Sequence, residues 1–171
     1  MIFAFAKAKK MKTLYITRHA KSSWEENVKD HKRPLNERGK LDIVLVSNYV
    51  AANFKKPDLI KTSDANRALT TAIQFKKAFS LEDDKFIVDE QMYDFSGAGV
   101  MKAIESTPDN VTILMVFGHN YGLTHLVNKL GNEYIDNLPT CGFVQIDFDT
   151  DSWKGIFQGK TKAMVFPKHL K

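Results

Sequence analysis

Short runs of β-branched and aromatic residues alternate along this chain with longer segments whose apolar residues recur every three or four positions. The first run, residues 13–17 (TLYIT), predicts a strand that ends at Arg18 and His19. A polar stretch over residues 20–34 follows, long enough to serve as a functional loop. Asn36 is a good N-cap, and the spacing beyond it predicts a helix with Leu41, Val44, Leu45, Tyr49 and Ala52 on its inner face, closed by Pro57. The alternation then repeats: strand 58–62, helix 66–79, strand 86–88 and short helix 100–105. After Pro108 the continuous apolar run VTILMVF predicts a central strand covered on both faces, leading into Gly118, His119, Asn120 and a helix over 123–130. The terminal segments FVQIDFD, WKGIFQ and KAMVF predict edge strands or a hairpin. Strands alternating with helices imply a three-layer α/β/α sandwich around a mostly parallel sheet.

The length, 171 residues, suits one domain over 11–171, with residues 1–10 (MIFAFAKAKK) read as a poorly ordered N-terminal extension rather than a secretory signal. No apolar run approaches the roughly 20 residues that span a bilayer, so no membrane partner is expected. The formal charge of +5 favours anionic partners without demanding nucleic acid. Neither a stacking groove of interleaved aromatic and basic residues nor a glycine-rich nucleotide loop is present. Nucleic acid is therefore not an expected partner. The single cysteine, Cys141, excludes an intramolecular disulfide and a cysteine-only metal site, and fits a cytoplasmic location.

In open α/β sheets, ligands bind beyond the carboxyl ends of the strands. Those ends carry Arg18 and His19, then Ser63, Asp64 and Arg67, then His119 and Asn120. Two arginines and two histidines converging on one sheet edge match phosphoryl transfer, where fixed donors must hold three equatorial oxygens. Arginine offers a planar fork for two of them, and a neutral imidazole can attack phosphorus and carry the phosphoryl group covalently. This scheme calls for no metal and no cofactor.

Five blocks in order extend the pattern: RHAKSSW (18–24), RPLNERGK (33–40), NRAL with Thr71 and Ala72 (66–72), GHN (118–120) and NLPTCG (137–142). Together they resemble the histidine phosphatase superfamily, and within it the small SixA-type phosphohistidine phosphatases. The resemblance implies a phosphoglycerate mutase-like fold, no metal, His19 as nucleophile, and Arg18, Arg67 and His119 as the phosphate pocket. It further implies hydrolysis of phosphohistidine on a phosphorylated protein through a phosphohistidine intermediate. The alternative is a phosphatase or mutase of the same superfamily acting on a small phosphate ester. Two positions depart from the family pattern: Asp64 brings a carboxylate near the pocket, and Tyr121 stands where a proline is common.

Other positions carry expectations of their own. Ser22, with Lys21 and Ser23, either contacts phosphoryl oxygens or substrate or belongs to a polar loop; Asn120 either touches phosphate or holds its loop. Trp24 is either an aromatic platform for a partner or a packing residue. His31, His125 and His169 are expected to do no chemistry. Asp94, ahead of Glu90, is the best-placed proton donor for an ester leaving group. FVQIDFDTD resembles an aspartate-nucleophile phosphatase motif, but too little chain follows it to build such a domain.

Overall fold

A computed structural model describes residues 2–4 and 10–171; most of the expected extension over 1–10 thus lies outside the described residues. The elements run β1 (Lys12–Arg18), α1 (Glu37–Asn53), β2 (Leu59–Thr62), α2 (Asn66–Ala78), β3 (Phe86–Val88), α3 (Ala98–Glu105), β4 (Ile113–Gly118), α4 (Gly122–Leu130), β5 (Phe143–Phe148) and β6 (Lys160–Val165). One six-stranded sheet has the order β3-β2-β4-β1-β5-β6. The β3, β2, β4 and β1 strands run parallel to one another, while β5 pairs antiparallel with β1 and with β6, so that β5 and β6 close one edge as a hairpin. Alternation along the central strands sorts the core into two layers. Leu14, Ile16, Leu114 and Val116 pack with Val100, Ile104, Leu123 and Val127 of α3 and α4. Tyr15, Met115 and Phe117 face the other way, onto Ile43, Val46, Val50 and Phe75 of α1 and α2. The result is an α/β/α sandwich with β1 and β4 side by side at its centre, so their carboxyl ends open at one place.

Two local expectations are corrected. Helix α1 is capped by Asn36, whose side chain accepts from the Gly39 amide at 2.8 Å, but it buries the opposite stripe from the one its leucines suggest. Gly39, Asp42, Ile43, Val46, Ser47 and Val50 are buried, whereas Leu41 is 73% exposed and Val44 and Tyr49 also face out. Polar anchors decide the rotation. Asp42 pairs with Lys171 at 2.8 Å, Gln74 of α2 donates to Ser47, and Gly39 lies directly on the backbone of Lys21. WKGIFQ, in turn, forms no strand. Trp153 is fully buried as a plug, and its indole N–H donates to the Val111 carbonyl at 2.8 Å.

The close approach at Gly39 ties helix to site, because a Cβ there would stand 2.1 Å from the Lys21 carbonyl oxygen, two residues past His19. Gly39→Ala is therefore expected to displace the 19–23 loop and to lower stability by about 1–3 kcal/mol, as overpacking does. Equilibrium urea unfolding checks this; a variant as stable as the parent would show that the contact relaxes freely.

Candidate active site

Strand β1 ends in Arg18 and delivers His19, whose amide is held by the Gly118 carbonyl at the end of β4. The loop that follows closes on itself: Ser22 bridges Leu35, and the Ser23 amide donates to Pro34 O at 2.8 Å. Residues 24–33 form an excursion over the sheet edge, carrying Trp24, Asp30 and Arg33 to a pocket of about 260 Å³ that Arg18, His19, Arg67 and Phe95 also line. Arg67 reaches it from the first turn of α2. A larger depression of about 520 Å³ lies at the opposite end of the strands, around Lys12, Asp109 and Thr112, and gathers no comparable set of arginines and histidines.

His19 is 7% exposed, and its Nδ1 lies 2.8 Å from the Ala20 carbonyl oxygen. A carbonyl only accepts, so Nδ1 carries the proton and Nε2 keeps its lone pair. Arg67 Nε points at that lone pair from 3.3 Å. The His119 ring lies against His19 with centroids 5.2 Å apart, and its Nε2 sits 2.8 Å from Ser63 Oγ. Ser63 Oγ accepts from the Ala65 amide and has its own proton to give to His119 Nε2; in that arrangement the His119 proton sits on Nδ1. That Nδ1 and Arg18 Nε are buried, and no described protein group accepts from either. Each such donor costs about 1–3 kcal/mol unless an acceptor joins it.

The remaining arginine contacts converge on Asp30. Its carbonyl and carboxylate accept from Arg67 at 2.8 and 3.0 Å, and its carboxylate also accepts from Arg33 at 2.9 Å and from the Tyr93 hydroxyl. Burial alone pushes the Asp30 carboxyl up, but hydrogen bonds from Tyr93, Arg33 and Arg67 outweigh it and hold it far below the usual carboxylate range. Arg33 in turn donates to Ser22 Oγ. Asp30 and Tyr93 have no expectation from sequence, since their partners stand 37 and 63 positions from Asp30. The readable trace is local: Asp30 precedes Arg33 by three residues inside the long polar loop.

Of the residues expected from sequence, the structure brings Arg18, His19, Arg67 and His119 together and lays Ser22 in the pocket wall. Asn120 lines the pocket and holds its loop: Oδ1 accepts from the Thr124 amide and hydroxyl, and one Nδ2–H donates to Asn137. Asp94 stands elsewhere. Its carboxylate accepts from the Ser96 amide and hydroxyl and from the Gly99 amide, which shapes the turn into α3 and does not line the pocket. Burial pushes this carboxyl up, but those hydrogen bonds outweigh burial and keep it below its ordinary value, a poor state for an acid. Asp64 pairs with His31 at 3.0 Å, and the His31 ring meets Tyr93 edge-on, so His31 packs beside the site.

Both site histidines are held neutral. Burial, the other histidine and the Arg67 and Arg18 charges pull His19 down to about 3; burial and the same two arginines pull His119 to about 3. The unfolded chain takes up protons on these rings near the ordinary value of about 6.5, and the folded chain does not. Stability is therefore full above that pH and falls as pH drops toward 3, by up to about 1.4 kcal/mol per pH unit for each ring. Urea midpoints at pH 7.5 and 5.0 check this: the midpoint should drop at pH 5.0, less so in His119→Gln. Equal midpoints would mean that the rings already protonate in the fold.

Among the described residues no helix is long and apolar enough to cross a membrane, and no group of three or more His, Cys, Asp or Glu is placed to hold a metal. The chain resembles several known proteins. A structure of the protein histidine phosphatase SixA complexed with tungstate superposes with a TM-score of 0.78 at 20% identity, covering 93% of this chain and 99% of that one. A phosphoglycerate mutase from Bacillus anthracis gives 0.60 at 16% identity, over 90% of this chain and 93% of that one. Among curated sequences, an uncharacterized protein of Mycobacterium tuberculosis is 34% identical over 102 residues, 60% of this chain and 61% of its own length, so the match spans under two thirds of that relative. An uncharacterized chloroplastic protein of Arabidopsis thaliana is 29% identical over 160 residues, 84% of this chain and 70% of its own. The sequence pattern of the histidine phosphatase superfamily, branch 1, matches residues 14–110, more than half of the chain and the stretch that carries Arg18, His19 and Arg67. With that match and the sandwich that sets His119 against His19, the chain belongs to the histidine phosphatase superfamily.

Proposed function

We propose that this protein is a phosphatase that takes the phosphoryl group from phosphohistidine on a protein, by way of a covalent intermediate on His19. The observation that carries the reading is that buried nitrogens without a partner, Arg18 Nε and His119 Nδ1, stand with Arg67 around a neutral histidine whose Nε2 lone pair meets only the Arg67 Nε–H. An oxyanion with three equatorial oxygens satisfies those donors together with Arg67. The likeness to a SixA that binds tungstate, itself a tetrahedral oxyanion, agrees with this.

His19 Nε2 attacks phosphorus, the bond from phosphorus to the substrate nitrogen breaks, and the departing imidazole takes a proton from water, leaving a hydroxide that is neutralised by a proton from the phosphate released in the second step. Arg67 turns its Nε–H from His19 to a phosphoryl oxygen as the new bond forms. Water then attacks the phosphoryl group, the bond to His19 breaks, and inorganic phosphate leaves with the water's proton while the ring returns to its neutral state. Imidazole leaves phosphorus more easily than an alkoxide does, so a site without a committed acid suits it. Asp94 is tied into its turn and Asp30 is held ionised, and neither is a ready proton donor.

Comparing kcat/KM across a phosphohistidine protein, free phosphohistidine, sugar phosphates and an aryl phosphate tests the reading. The phosphohistidine protein is expected to lead. A sugar phosphate ahead of it by tenfold or more would move the assignment to the small-ester branch of the superfamily.

A further inference from the structure

Two large aromatic side chains stand exposed at the pocket without a core to explain them. Trp24 is 76% exposed and Phe95 is 51% exposed, and they are the only apolar side chains among the described residues that line it. Neither is loosely placed. The Arg33 guanidinium lies over the Trp24 ring, 3.2 Å from its centroid. Arg33 is itself buried and fixed by Ser23 O, Ser22 Oγ and the Asp30 carboxylate. Phe95 rests on Tyr93 and on His119, with centroids 5.3 and 5.4 Å apart, and Tyr93 is tied to the same Asp30 carboxylate. Each ring is thus held on one side by groups of the site and offers its remaining surface to whatever enters.

From this juxtaposition we infer that Trp24 and Phe95 form a binding subsite for the leaving group, selecting phosphoryl donors in which phosphorus is bonded to a flat heteroaromatic ring. The inference rests on the phosphatase reading above and assigns the side chains that recognise its leaving group. The polar floor of Arg18, His19 and Arg67 takes the phosphoryl group, and the group bonded to phosphorus must then lie toward the mouth, where these rings stand. A planar ring gains there from stacking or edge contact, which an alkyl chain or an amine matches poorly. Because the rings are already oriented, little side-chain freedom is lost on binding. Arg33 adds to this by keeping its charge stacked on Trp24, leaving the indole rigid in water.

The test compares two donors that share a phosphorus–nitrogen bond and differ in the ring: phosphoimidazole, and phosphoramidate, whose leaving group is ammonia. The ratio of kcat/KM for phosphoimidazole to that for phosphoramidate is expected to fall about 5- to 10-fold in Trp24→Ala and in Phe95→Leu, mostly through KM, in line with the loss of one aromatic contact. Trp24→Phe should recover most of the ratio, since it restores a ring. A ratio unchanged within about twofold in both variants, with the parent active on phosphoimidazole, overturns the subsite alone. A parent protein inert toward both donors overturns the subsite, and one inert toward the phosphohistidine protein as well overturns the phosphatase reading with it.

Discussion

His19→Ala is expected to lose at least about 10⁴-fold in kcat and to remain folded, because the proposed covalent step runs through its Nε2, while Asp30 and Ser22, which also line the pocket, are held by Arg67, Tyr93 and Arg33. The ring makes short contacts with Ala20 and Arg67 and sits at the rim of the core, so its removal leaves the sheet and both helical layers intact. Near-native unfolding behaviour with turnover abolished is the expected pair of results, read by steady-state assay and urea titration on one preparation. A variant retaining more than about a tenth of parental kcat would remove the nucleophile from His19.

Arg67→Ala comes next in size, with an expected loss of about 10²–10³ in kcat/KM, the scale seen when a fixed donor to a developing oxyanion is deleted. Arg67 is 3% exposed and spans three groups at once, the His19 ring and the carbonyl and carboxylate of Asp30. Its removal leaves Asp30 with Arg33 and Tyr93, so the loop keeps two of its anchors. Arg67→Lys should recover little, because an ammonium cannot bond Asp30 through two nitrogens while a third faces the nucleophile. Recovery of half the parental rate by lysine would show that charge alone, and not the fork, is what the site uses.

The parallel strands of this fold are legible because each is a short apolar run bounded by a turn signal, and β3 coincides with its expected span of 86–88. Arg18, His19, Arg67 and His119 are legible for a related reason: Arg18, His19 and His119 stand at strand ends and Arg67 at the start of the helix after β2, and topology brings strand ends together. The buried face of α1 is not. Its apolar residues form two stripes, and the choice between them falls to Gly39, Asp42 and Ser47, whose partners lie in another loop, the C-terminus and α2. WKGIFQ misleads in the same way, since one tryptophan seeking a carbonyl for its indole N–H pulls the segment out of the sheet. Asp94 looks like an acid from its position after β3, but the amides of Ser96 and Gly99 claim its carboxylate. Asp30, the hub that orients Arg67, carries no motif because its partners are assembled only by folding.

The covalent step on His19 is tested most directly by trapping it. Labelled phosphohistidine protein is mixed with the enzyme, turnover is stopped within milliseconds in alkali, where phosphohistidine survives, and the phosphorylated peptide is mapped by mass spectrometry. Label on His19 that is stable to base, lost in acid and chased to inorganic phosphate at the rate of turnover is the expected result. Steady turnover with no label on His19, or with label on another residue, would contradict it.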